Sequence, residues 1–147
     1  MRVLIQRVNH ASVSVAGRTV GAIKQGLLLL VGFGQNDTAT KLKPMAEKIA
    51  NLRIFSNQER KFDFSLLDIK GRALLIPQFT LYADTSKGRR PDFTASLQPE
   101  AARQLFDEFV AVFSATIGLN RVEKGEFGAY MQVELQNDGP VTILLEM

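Results

Sequence analysis

The first quarter of the chain has the hydrophobic pattern of β-strands. Apolar and polar residues alternate over residues 2–8, 12–16 and 19–24, which is typical of strands with one buried face. We expect a tight connection near Asn9-His10 between the first two strands. Residues 27–33 are continuously apolar, so they predict a central strand that is buried on both faces.

Two later segments have the spacing of helices. Asp37 and Thr38 have the chemistry of cap residues for a helix that runs to about residue 55, with Pro44 in its first turn. A second helix is predicted between Pro99 and Gly118, because proline suits a helix start and glycine a helix end. One apolar stripe along it predicts a core-facing side: Leu105, Phe106, Phe109, Val110, Phe113 and Ile117.

The remaining apolar runs predict further strands at residues 73–76, 79–83, 121–124, 130–136 and 141–145. Pro77 has no N–H for a central ladder, so the strand before it should end, bulge or reach an edge. A turn is expected at Asn137-Asp138-Gly139-Pro140, between the last two strands. The predicted fold is one α/β domain over residues 1–147. It is a three-layer β/β/α sandwich with barrel-like sheets and two main helices.

Composition narrows the class of protein. A chain of 147 residues with 46% hydrophobic content can bury one proper core. No apolar run is long enough to cross a membrane, and the start of the chain alternates like a strand rather than a signal peptide. Cysteine is absent, which excludes disulfides, thiolate nucleophiles and zinc–cysteine sites. A cytoplasmic location is therefore expected.

The charge distribution allows an RNA partner. The formal net charge is +3, and the compact run Lys87-Gly88-Arg89-Arg90 stands before Pro91. Such a run is either a solvated turn or a loop that contacts phosphates.

Side chains for acid–base or metal chemistry are scarce. His10 is the only histidine, and it lies in a polar segment typical of a surface turn. We therefore expect no metal and no cofactor, and an enzyme of this composition must work by positioning. Gln78, Phe79 and Thr80 offer an amide, a hydroxyl and N–H groups that could hold an oxyanion, although the same residues also suit an ordinary strand. Gly139 has no Cβ, so a ligand could approach its backbone, although a simple hairpin turn explains it too.

Several segments, each weak alone, together resemble one family in their order and spacing. They are residues 2–8, 46–55, 78–84, 87–91, 127–129, 131–133 and 137–142. The chain resembles the D-aminoacyl-tRNA deacylase (D-tyrosyl-tRNA deacylase) family over almost its whole length.

This resemblance implies a homodimer with its active site at the subunit interface and aminoacyl-tRNA as substrate. Gly139-Pro140 would be a cis gate that enters the partner's site and rejects L-amino acids, and Arg7 would hold it. Gln78, Phe79 and Thr80 would be the catalytic stretch, assisted by the 2′-hydroxyl of the tRNA and without a metal. The residues expected to bind substrate or tRNA are Pro77, Lys87, Arg89, Arg90, Phe93, Met131 and Asn137.

Pro77 departs from the family, which usually has serine there. A proline at this position is similar to a related animal deacylase group that removes L-alanine from mischarged tRNA, whereas residues 137–140 favour the D-specific group. A gate that rejects an L side chain cannot exclude glycine, so hydrolysis of glycyl-tRNA, including glycine mischarged on tRNA-Ala, is also expected. The alternatives are a non-catalytic tRNA-binding module and a hydrolase of small D-amino acid esters.

Overall fold

One long strand, β1 (Arg2–Val15), carries most of the sheet pairing in the computed structural model, which describes residues 1–147. The expected break at Asn9-His10 is wrong, because the last strand of the chain pairs antiparallel along both halves of β1 and keeps it extended. On its other side, β1 passes from one neighbouring strand to another near Asn9-His10. Residues 2–8 pair with one strand and residues 11–15 with another.

Seven further strands and two helices complete the chain. In order, they are β2 (Arg18–Ile23), β3 (Gly26–Gly32), α1 (Leu42–Asn51), β4 (Phe55–Ser56), β5 (Phe62–Phe64), β6 (Arg72–Pro77), α2 (Pro99–Ile117), β7 (Val122–Lys124) and β8 (Met131–Glu146). The main sheet has the order β2-β1-β3-β6-β7, and β8 pairs with the free side of β1. The β3–β6 and β6–β7 pairs are parallel, so these three strands end at the same edge of the sheet.

Two hydrophobic clusters define the layers. The larger cluster lies between the outer face of the sheet and the two helices, and it contains Phe106, Phe109 and Phe113 from the predicted stripe of α2. The smaller cluster is enclosed by the curved sheet and comprises Val8, Ala11, Val13, Ile23, Leu28, Leu74 and Ile76. β3 contributes to both clusters because its side chains alternate between faces. The nearly closed, barrel-like sheet and the helices confirm the three-layer prediction.

The helices follow the prediction except at their start signals and at the end of α1, which is Asn51 and not about residue 55, because Leu52 is already extended and Phe55 pairs in β4. Pro44 lies in the first turn of α1 and Pro99 begins α2, as expected. The predicted caps are wrong, since neither Thr38 nor the residue before α1 makes a side-chain cap hydrogen bond. No helix combines the length and apolar character needed to cross a membrane.

Asp37 instead joins several segments through one buried carboxylate. Its oxygens accept hydrogen bonds from the Gly34 N–H (2.6 Å), Lys41 Nζ (2.7 Å) and Tyr82 Oη (3.1 Å). Burial opposes ionisation of Asp37, but the bonds from Lys41, the Met1 amino group and Gly34 outweigh it and hold its pKa below the ordinary value. Burial, together with the Asp37 charge, raises the pKa of Tyr82 to about 12.

We expect Asp37→Asn to destabilise the fold by about 1–3 kcal/mol at pH 7, because donors around the side chain lose an anionic acceptor. A depressed carboxyl pKa contributes stability above its ordinary value of 3.8, and this contribution is lost as the pH falls through the folded-state pKa. Urea unfolding of both proteins from pH 7 to pH 3 measures the effect. The two curves should converge in acid, and a difference that does not change with pH would contradict this role of the charge.

Candidate active site

A cavity of about 320 Å³ opens at the carboxyl ends of β3 and β6. Fifteen residues line it: Val31, Gly32, Phe33, Ile76, Pro77, Gln78, Phe79, Leu97, Ala102, Phe127, Gly128, Ala129, Tyr130, Met131 and Val133. The fold thus brings Pro77, Gln78, Phe79 and Met131 of the predicted site together around one opening. The edge where parallel strands end is a common place for ligand sites in α/β sheets.

The floor of the cavity is a turn and not the strand expected over residues 79–83. Pro77 pairs with Val31 in the last step of the parallel ladder, and Gln78 adds one bond from its N–H to the Val31 carbonyl (2.7 Å). Beyond this point the chain forms a 3-10 turn, Phe79–Tyr82. Pro77, which has no N–H, is thus the last paired residue of the strand before the turn.

This turn leaves backbone donors beside the cavity. The N–H groups of Phe79 and Thr80 are the first of the turn and therefore have no acceptor inside it. The Thr80 hydroxyl accepts a hydrogen bond from the side-chain amide of Gln78. An amide is not a general base, and His10 is exposed on β1. The arrangement suits the stabilisation of negative charge by N–H groups better than attack by an activated hydroxyl.

Arg2 and Gly32 hold this turn in place, although the sequence did not mark either as a site residue. Arg2 Nη1 donates to the Leu81 carbonyl (2.9 Å), and its guanidinium lies 4.5 Å from the centre of the Tyr82 ring. A Cβ on Gly32 would be only 2.8 Å from the Gln78 carbonyl oxygen. The absence of a side chain at Gly32 therefore lets the turn pack against the end of β3.

A basic loop flanks the turn. Backbone hydrogen bonds in both directions between Asp84 and Asp92 (2.8 and 2.9 Å) close its neck. Lys87, Arg89 and Arg90 are exposed on the loop and have no ion-pair partner. A closed loop that presents free cations to solvent is suited to contact with phosphates.

Phe93 joins the basic loop to the turn. Its ring packs edge to face on Phe79 with the centroids 4.9 Å apart. Aromatic pairs in this geometry contribute stabilisation beyond their buried area. Phe93 therefore supports the Phe79 side chain, and its contact with substrate stays a prediction.

The predicted turn at residues 137–140 is wrong in form, because these residues lie inside β8. Gln6 pairs with Thr142 and Val8 with Asn137, so Arg7 alone faces residues 138–141. The segment is a large bulge in one strand, and the ladder resumes on both sides of it. The Gly139-Pro140 peptide bond is cis, as expected, and both residues are exposed.

Two side chains hold this bulge. The buried Arg7 guanidinium donates to the carbonyls of Asp138 (3.0 Å) and Ile54 (2.6 Å) and lies 3.0 Å from the Asp138 carboxylate. Asn137 accepts from the Val141 N–H (2.8 Å) and donates to the Thr142 hydroxyl (2.9 Å). Gly139 has a φ of 130°, a conformation that other L-residues rarely adopt. Both polar ends of Asn137 are thus used within the bulge, and its contact with substrate stays a prediction.

The bulge and the cavity are far apart in one chain. Arg7 pairs with Leu27, whereas the cavity begins at Val31, which is about 13 Å further along β3. Arg2 and Arg7, which hold the turn and the bulge, are an odd number of residues apart and point to opposite faces of β1. No residue of the bulge lines the cavity.

Comparison with known proteins gives the family. A family model described as D-Tyr-tRNA(Tyr) deacylase matches residues 4–146. A protein of Thermosipho africanus called D-aminoacyl-tRNA deacylase is 53% identical and is aligned over 99% of this chain and 97% of its own. A protein of the same name from Chloroflexus aurantiacus is 57% identical and is aligned over 99% of this chain and 90% of its own. The chain belongs to the D-aminoacyl-tRNA deacylase family. It is an enzyme of the class that hydrolyses the ester bond of aminoacyl-tRNA.

Solved structures agree with this family fold. A structure titled c-Myc DNA Unwinding Element Binding Protein superposes with a TM-score of 0.95 at 40% identity, over 100% of this chain and 99% of that one. A structure titled as a probable eukaryotic D-amino acid tRNA deacylase gives a TM-score of 0.90 at 18% identity, over 99% of this chain and 98% of that one. The barrel-like arrangement is therefore shared by proteins whose sequences differ widely.

The geometry of the turn leads to a prediction for this deacylase. Gly32→Ala should lower the rate of D-tyrosyl-tRNA hydrolysis by about 10- to 100-fold, since a shift of the turn by a fraction of an ångström misplaces its N–H groups. Single-turnover hydrolysis and thermal unfolding of the same preparation measure the two effects separately.

Gly71→Ala is the matched control. Its Cβ would also be crowded, at 2.7 Å from a Leu66 side-chain carbon, but away from the cavity. It should affect stability more than turnover. A Gly32→Ala enzyme with unchanged turnover would show that the turn tolerates displacement.

Proposed function

We propose that the protein removes D-amino acids from mischarged tRNA by hydrolysis within a dimer, with the turn of one subunit and the bulge of the other at each site. The observation that carries this proposal is the pair of unpartnered N–H groups at Phe79 and Thr80, beside a cavity lined by no histidine, carboxylate or lysine. The substrate ester is already activated, so a positioned water and a stabilised oxyanion suffice. Such an enzyme would work in the cytoplasm, where charged tRNA is used.

In the proposed reaction the terminal adenosine enters the cavity beside Gln78. A water oxygen bonds to the ester carbonyl carbon, and the N–H groups of Phe79 and Thr80 stabilise the negative charge on the carbonyl oxygen. The bond from this carbon to the ribose oxygen then breaks. The proton that the attacking water loses passes to the ribose oxygen, assisted by the neighbouring 2′-hydroxyl, and free tRNA and a D-amino acid leave. Loss of one such oxyanion donor typically costs about 10²–10³ in rate.

Selection against L-amino acids is assigned to Gly139 and Pro140. Their carbonyls would accept from the substrate α-amino group, and their backbone would occupy the position of an L side chain. A D side chain would point away from the bulge. Two observations support this assignment. Both residues are exposed, and the Arg7 guanidinium fixes the bulge by binding the carbonyls of Asp138 and Ile54 and the Asp138 carboxylate. A steric gate of this kind needs a fixed backbone.

The separation of the bulge from the cavity supports a dimer, since one chain does not bring these two parts of the proposed site together. Apolar side chains near both halves are also uncovered in one chain. Phe79 is 56% exposed at the cavity, Phe62 is 56% exposed beside Arg7, and Leu144 is 52% exposed on β8. Large apolar side chains left in solvent near a functional surface are typical of contact sites between proteins.

The first test measures ester loss from D-tyrosyl-, L-tyrosyl-, glycyl- and L-alanyl-tRNA. We expect rapid loss of the D ester, slower loss of the glycyl ester, including glycine on tRNA-Ala, and none from L-tyrosyl-tRNA. Glycyl-tRNA that resists high enzyme concentration would argue against a steric gate.

The other outcomes identify the alternatives. Loss of L-alanine would mean that Pro77, which lines the cavity, has changed the specificity. Binding of tRNA without turnover would indicate a binding module. Hydrolysis of small D-amino acid esters at the same rate would indicate an esterase that does not need RNA.

Subunit mixing tests the shared site. Gly32→Ala damages the turn and Gly139→Ala damages the bulge, where a Cβ would lie 3.0 Å from Arg7 Nη2. Each variant alone should be slow, and mixed dimers should regain activity because one of their two sites combines an intact turn with an intact bulge. Each variant taken alone through the same subunit exchange is the control. A mixture that stays as slow as its parts would mean that turn and bulge act within one chain.

Thr80→Val tests the role of the hydroxyl. We expect the variant to keep most of its activity, within about 10-fold, because the backbone N–H remains and only the bond from Gln78 is lost. The pre-steady-state rate on D-tyrosyl-tRNA measures this, with Thr94→Val, a hydroxyl on the neighbouring loop, as the control. A loss of 10⁴-fold or more would assign covalent chemistry to Thr80 and overturn the backbone mechanism.

A further inference from the structure

Tyr130 is an exposed aromatic residue at the rim of the cavity. It lines the opening, yet 90% of the residue is accessible to solvent, the largest fraction among the exposed large hydrophobic side chains. An aromatic ring held in water gains nothing from burial, so packing within the chain does not explain it. Neither the proposed gate nor the oxyanion donors use this ring.

The segment that carries Tyr130 is firmly held. The Ala129 N–H donates to the Glu126 carbonyl (3.3 Å), and the Phe127 ring packs against Phe106 with the centroids 6.3 Å apart. On the other side, Met131 begins β8 and pairs with Val15. The exposure of Tyr130 is therefore a property of an ordered turn and not of a loose end.

Arg103 adds a cation to the same turn. Its Nη2 donates to the Phe127 carbonyl (3.2 Å), and its guanidinium lies 4.8 Å from the centre of the Phe127 ring. It makes no ion pair. The rim thus carries an exposed ring and a fixed, unneutralised positive charge, which are the two components of single-stranded nucleic-acid sites.

We propose that Tyr130 stacks on the base of the nucleotide that precedes the esterified adenosine, and that Arg103 lies near the phosphate between these two nucleotides. This inference rests on the proposed function, because the adenosine in the cavity brings the preceding nucleotide to the rim. The basic loop, whose residues do not line the cavity, offers charge but no aromatic ring, so it suits the phosphates further along the strand. The 3′ end of tRNA is single-stranded, and its bases are free to stack on a protein side chain.

The test compares two D-tyrosyl esters, one on tRNA and one on adenosine alone. Tyr130→Ala should reduce kcat/KM for the tRNA ester by about 5- to 150-fold more than for the adenosine ester, as expected for loss of one stacked base. Tyr130→Phe and Tyr130→Trp keep a ring and should restore the preference for tRNA. Leu119→Ala, which removes a side chain of a residue that is 80% exposed, is the control for loss of surface area.

A binding measurement separates this inference from the proposed function. The dissociation constants of the trinucleotide CCA and of adenosine can be measured without turnover. Tyr130→Ala should weaken the binding of CCA and leave the binding of adenosine unchanged. If the wild-type protein binds CCA through Tyr130 but cleaves no ester, the proposed function fails and the stacking site stands.

Three results would overturn the stacking site. They are equal losses for the two esters, unchanged binding of CCA, and a change of oligomeric state in Tyr130→Ala by sedimentation velocity. The last result would place the ring at a contact between copies of the chain.

Discussion

The antiparallel pairing of β8 along β1 is the interaction on which the other features depend. It keeps β1 extended while the strand exchanges β3 for β2 on its opposite side, and this exchange curves the sheet around the smaller hydrophobic cluster. The same pairing defines the bulge. The ladder is regular on both sides of residues 138–141, and these four residues are displaced from it because only Arg7 lies opposite them. Without the regular flanks, the segment would be an ordinary loop.

β1 also connects the two halves of the candidate site. Arg2 holds the turn at the cavity, and Arg7 holds the bulge, each through carbonyl oxygens of the segment that it positions. Side chains alternate along a strand, so two residues at an odd separation must point to opposite faces. The geometry of one strand therefore keeps turn and bulge apart within a chain, and this separation is the basis of the proposal that a second copy completes the site.

The cavity shows how a site can be built with few reactive side chains. The parallel ladder ends at Pro77, the turn that follows presents N–H groups, and Gly32 lets that turn approach β3. Backbone donors fixed by packing need no reorganisation during a reaction, and they stabilise a developing charge more strongly when a bound substrate excludes water. The positively charged side chains of the basic loop and of Arg103 lie outside the cavity lining, where they can contact phosphates.

The sequence by itself determined the elements that depend on local periodicity: the buried strand β3, the stripe of α2 and the end of β6 at Pro77. It also determined the family, through short segments at fixed spacing. It did not determine the continuity of β1 and β8, because polar residues such as Asn9 and Asp138 read as turns unless a partner strand holds them extended. The 3-10 form of residues 79–82, the support from Arg2 and Gly32, and the position of Tyr130 at the cavity rim came only from the tertiary structure. These features depend on contacts between residues far apart in the chain, and no local pattern records such contacts.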